Sequence, residues 1–126
     1  MTSINYFTIP EFDKDFKRLE KRFRTLEKDF ENVKKFVIEP HYLQGTPTTA
    51  LTEIEGFCSE YYKSIKIRKF ASLCLKNHGN RTGIRIIFVF EPDNLNVTFI
   101  EIYFKGDKEN EDKLRLNSFI KILLKE

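Results

Sequence analysis

At 126 residues and 15.1 kDa, with 40% apolar and 33% charged side chains, the chain has room for one domain with a single core, spanning 1–126. Two cysteines, Cys58 and Cys74, are too few for a disulfide framework, and no basic-then-apolar leader or long apolar run occurs. A cytoplasmic protein that is neither exported nor membrane-spanning is therefore expected. The net charge of +3 is unevenly spread: residues 1–60 carry 9 basic and 11 acidic side chains, residues 61–126 carry 13 and 8.

Asn5–Ile9 is rich in β-formers and stops at Pro10, which predicts a first strand. From Glu11 the period changes. Phe12, Phe16, Leu19, Phe23, Leu26, Phe30, Val33 and Val37 form an apolar stripe at alternating spacings of four and three, the mark of an amphipathic helix. As one helix, 11–38 would run about 42 Å. A globular chain of this size has a radius of gyration of roughly 14 Å, so the helix would protrude. Compactness favours a hairpin broken near Arg24-Thr25, with Thr25 as the cap of the second helix. Pro40 is expected to end the helical region, with a loop over His41–Thr49. Ala50–Ser59 reads either as a short strand around Leu51–Ile54 or as a turn.

Tyr62–Phe70 alternates, with Ile65 and Ile67 on one side and Lys66 and Arg68 on the other. Ala71–Thr82 reads as a connection that reverses the chain. Gly83–Phe90 is almost continuously β-branched or aromatic, which predicts a central strand with Arg85 as its conspicuous polar member. A turn at Glu91–Asn94 leads to a strand over Val97–Lys105, and Asp107–Glu126 closes the chain as a helix. The predicted order is β, two helices, three antiparallel strands and a helix: an α+β domain with one helical layer on one sheet face. The other face is left for Lys66, Arg68 and Arg85.

Between Lys63 and Arg85 stand seven Lys or Arg and no Asp or Glu. A one-signed field on a rigid sheet points to a polyanionic partner. The plainer readings are a solvated face for Lys63, Lys69 and Lys76, and for Arg85 a salt bridge to Glu101 on the next strand. Cys74 and His78 are too few ligands for zinc, so no metal or cofactor is expected. Lys108–Lys113 reads as a solvated helix start.

The succession Phe-x-Lys-Asp-Phe-Lys-Arg-Leu, Lys-Ile-Arg, Gly-Ile-Arg-Ile-Ile-Phe and Ile-Glu-Ile-Tyr-Phe-Lys-Gly-Asp resembles the RelE/ParE superfamily of bacterial toxins. The resemblance spans nearly the whole chain. It implies a helical hairpin on a small antiparallel sheet, in the order βααβββα. It also implies a cognate antitoxin as partner, with the ribosome and mRNA as targets. RelE-like members are metal-independent ribonucleases in which the ribose 2′-OH attacks the adjacent phosphate, leaving a 2′,3′-cyclic phosphate and a 5′-OH. Carried over position by position, Arg85, Lys66, Arg68 and Lys105 would act on the scissile phosphate, with Tyr103 the nearest aromatic candidate. Lys66 could serve as the base only if the neighbouring Arg68 and Arg85 charges depress its pKa, and Glu101 and His78 are the alternative bases. Arg68 stands where several members have a second lysine, and no tyrosine occurs within Asp107–Glu126 to match the C-terminal one of RelE. ParE-like members share the fold and inhibit DNA gyrase instead; a catalytically silent RNA- or antitoxin-binding relative is the other alternative.

Overall fold

Five strands form one twisted sheet in the order β1-β5-β4-β3-β2, in a computed structural model that describes residues 2–68 and 83–125. The strands are β1 (Asn5–Thr8), β2 (Leu51–Cys58), β3 (Lys63–Ile67), β4 (Ile84–Glu91) and β5 (Asn96–Phe104). The helices are α1 (Pro10–Glu20), α2 (Leu26–Val33), α3 (Glu39–Gln44) and α4 (Lys113–Leu124), with a π-helical turn over Lys34–Ile38. The chain is thus α+β. The sheet is mixed, because β1 runs parallel to β5 while the other neighbours are antiparallel. The expected purely antiparallel sheet is corrected on this point. Leu51–Cys58, ambiguous in sequence, is a full edge strand. The expected connection over 71–82, with Cys74 and His78, lies outside the described residues.

The apolar stripe breaks where compactness required. Residues 21–25 separate α1 from α2, and Thr25 occupies the cap position, its hydroxyl donating to the Asp29 carboxylate at 2.7 Å. Folding back brings the Phe12 and Phe16 rings to 5.7 and 5.4 Å from Phe30, so the two halves of the stripe bury each other. Pro40 does not end the helical region, as it was expected to. The chain widens into a π turn before it, with the Glu39 N–H donating to the Lys34 carbonyl, and α3 continues to Gln44. Proline has no N–H to give and its ring crowds the carbonyl four residues back, which a widened turn accommodates.

β4 lies in the middle of the sheet, as its unbroken apolar run requires, because both of its faces are covered. On one face Ile84, Ile86, Phe88 and Phe90 pack with Phe12, Leu26 and Phe30 of the hairpin. On the other, Ile87 and Val89 pack with Ile100, Leu116 and Ile120. The expected single helical layer is corrected accordingly: α4 covers part of the second face. A β-bulge supports this, since Ile87 pairs with Glu101 while Phe88 pairs with Phe99, leaving Ile100 as the extra residue. Phe104 is seated between two glycines. A Cβ on Gly83, which has φ 85°, would come within 2.9 Å of its ring, and one on Gly106 within 2.5 Å. Among the described residues no helix is long and apolar enough to cross a membrane.

Candidate polyanion-binding site

Strand alternation decides which of the candidate residues meet. Ile65 and Ile67 face the hairpin, so Lys66 between them faces α4. Arg85 and Tyr103 share that face as direct cross-strand partners, with Lys66 opposite Ile87 one position along the sheet face. Arg68 follows the last paired residue of β3, Ile67 with Ile86, and its N–H is held by the Ala50 carbonyl at 3.1 Å. Continuing that register sets Arg68 opposite Arg85. Lys105 lies just past β5 in an exposed turn, its N–H donating to the Gly83 carbonyl at 2.7 Å. Lys66, Arg68, Arg85 and Tyr103 therefore gather on one face of a rigid sheet, with Lys105 at its rim.

The Tyr103 hydroxyl is buried and has no hydrogen-bond partner among the described residues. Burial pushes its pKa up to about 12, with the Glu111 and Glu101 charges acting in the same direction and Arg85 and Arg68 opposing. At neutral pH it keeps its proton and is a donor with no acceptor among the described residues. Arg85 is half-buried; its guanidinium donates to the Ile84 carbonyl at 3.3 Å and forms no ion pair with a carboxylate among the described residues. The salt bridge to Glu101, the plainer reading of Arg85, is not made. Glu101 sits opposite Ile87 and is taken up by the Lys108 ammonium and by the Asp112 N–H at 2.8 Å. These partners also engage Glu101 as an acceptor, the very capacity a general base would use. His78, the other alternative base, lies outside the described residues.

One acidic residue of the site escaped sequence reasoning. Glu111, read as part of a solvated helix start, reaches back over the sheet and pairs with Lys66 at 2.5 Å, the two side chains only 7% and 12% exposed. Burial acts to raise the Glu111 pKa, but hydrogen bonds from Lys66 and the backbone and the charges of Lys66 and Lys113 outweigh it, and the net shift is downward. No local sequence signal links residues 66 and 111; the contact exists only because α4 is capped late. Asp112 is that cap, accepting the Arg115 N–H at 3.0 Å, so α4 begins at Lys113 and residues 107–112 run as a loop across the face.

Among the described residues no three His, Cys, Asp or Glu side chains are grouped to hold a metal. The arrangement offers two guanidinium groups, one ammonium and a neutral hydroxyl donor. That set suits non-bridging phosphate oxygens, and guanidinium supplies a planar two-pronged donor that stays charged. Comparison with protein-family models, with curated proteins and with solved structures gives no match to this chain.

Proposed function

We propose that this chain is a toxin of the RelE/ParE type, half of a toxin–antitoxin pair, acting as a ribosome-dependent, metal-independent mRNA endoribonuclease. The observation that carries the reading is the convergence of Lys66, Arg68, Arg85 and Tyr103 on one sheet face. The α+β class that the resemblance implies supports the reading, while the sheet has five strands, with α3 and β2 between the hairpin and β3. In this role Arg85 and Arg68 neutralise the charge that builds on the phosphorane as the 2′-OH attacks, and Lys66 binds a non-bridging oxygen. Tyr103, keeping its proton at neutral pH, donates to the same phosphate. Lys105 at the rim steers the flanking backbone. A cognate antitoxin would cover this basic face.

A second reading, a toxin-fold protein that binds nucleic acid or gyrase without cutting, is favoured by one specific observation. Lys66 and Glu101, two candidate proton acceptors, are both engaged in ion pairs. Primer extension on cellular mRNA after brief induction separates the two. New cuts inside translated frames, absent in Arg85→Ala and absent when translation is blocked, are expected. Growth arrest without cuts would overturn the nuclease reading and direct attention to a gyrase supercoiling assay.

A further inference from the structure

We infer that residues 107–112 are an autoinhibitory strap whose Glu111 carboxylate occupies the seat of a substrate phosphate on Lys66, so that an RNA backbone must displace the strap to bind. This rests on the reading of the basic face as an RNA site and deepens it by assigning its regulation.

The strap, Asp107-Lys108-Glu109-Asn110-Glu111-Asp112, contains no apolar residue that could anchor it in either core. Its side chains are held by charge, and the Asp107 and Lys108 N–H groups donate to the Phe104 carbonyl. Asp107 pairs with Arg22 at 2.5 Å, Lys108 with Glu101, Glu111 with Lys66, and just beyond it Arg115 pairs with Asp15 at 2.6 Å. Other ions can compete for such fastenings, most at the exposed Arg22–Asp107 pair and least at the nearly buried Lys66–Glu111 pair, whereas they would not compete with an apolar anchor.

The occupant of the seat is chemically informative. A carboxylate and a phosphodiester each carry one negative charge and accept charge-assisted hydrogen bonds from an ammonium. Glu111 thus meets the Lys66 charge where a backbone phosphate would. It does so incompletely, because Arg85 and Arg68 form no ion pair among the described residues and the buried Tyr103 hydroxyl has no acceptor there. One carboxylate stands where three cations and a donor converge. A single-stranded RNA brings several phosphates and can satisfy all of them, so displacement is favourable for a polyanion and unfavourable for a single small anion.

The test uses the full chain and a fluorescein-labelled twelve-nucleotide oligouridine RNA, read by fluorescence anisotropy, with amide hydrogen exchange of residues 107–112 measured with and without RNA. Glu111→Gln should tighten binding about tenfold by removing the competing charge. Glu109→Gln, which changes net charge equally at an exposed strap position, should alter affinity by less than about twofold. The Asp112 amide should lose protection when RNA binds the native chain. If the native chain and Glu111→Gln bind RNA equally well and the strap stays protected, the strap does not gate the site and the proposal falls while the RNA reading stands. If neither binds RNA, the RNA reading fails and the strap as its gate fails with it. A thermal melt of each variant confirms folding before binding is compared.

Discussion

Tyr103 and Glu111, which meet over one sheet face, have their pKa values moved in opposite directions by their surroundings. Burial raises the tyrosine pKa, while the Lys66 ammonium lowers that of the glutamate against the opposing effect of burial. The second case has a consequence for stability. The folded-state pKa of Glu111 lies below its ordinary 4.5, so its contribution is fully present above that value and is lost as pH falls through the folded pKa. Melting temperatures of the native chain and Glu111→Gln should therefore differ by a constant amount at pH 6–8, and the difference should shrink below about pH 4.5. A gap unchanged down to pH 3 would mean that the Lys66–Glu111 pair contributes nothing. Arg85 behaves differently. Among the described residues its guanidinium holds only the neighbouring Ile84 carbonyl, so Arg85→Ala should shift stability by no more than about 1 kcal/mol while removing RNA binding, as a urea titration alongside anisotropy would show. Its place in an apolar strand was legible from sequence, because a charge there stands out against its neighbours. Its partner was not, because cross-strand register depends on turns and a bulge that sequence does not announce.

Among the elements, the helical hairpin and the strap contrast in what holds them. The hairpin is fastened by phenylalanine contacts, with Phe30 at the junction of Phe12, Phe16 and Phe99. The strap is fastened by ion pairs that range from the half-exposed Arg22–Asp107 to the nearly buried Lys66–Glu111, and salt weakens the exposed ones most. Raising NaCl from 0.05 to about 0.5 M should speed exchange of the Asp112 amide several-fold and leave the amides of β4 unchanged. Equal protection at both salt concentrations would show that packing of α4, and not charge, holds the strap. The period of the Phe12–Val37 stripe identified the helices, and only the globular volume available to the chain decided that they fold back. Pro40 misled in the other direction: a single proline was read as a stop, but a π turn before it let the helix run on.

For the molecule as a whole, Phe99 is the centre of the larger core. Its ring lies 5.9 Å from Tyr6 and Phe88, 5.6 Å from Phe12 and 4.7 Å from Phe30, joining β1, β4 and both helices of the hairpin. Phe99→Ala should cost about 3–5 kcal/mol, a large part of the stability of a domain this size, measured as a fall in the urea midpoint. The α+β class, the amphipathic helices, the central place of β4 and the gathering of positive charge between residues 63 and 85 are all readable from the order of side chains alone. All of these rest on interactions within a few residues or on composition, where periodicity and propensity act directly. Only the tertiary structure decided that β1 joins the sheet parallel to β5, that α4 covers the second face, and that Glu111 closes over Lys66. Each of these joins residues tens of positions apart, and local preference is silent about them: they follow from which buried surfaces and unpaired charges remain once the hairpin has taken the first face.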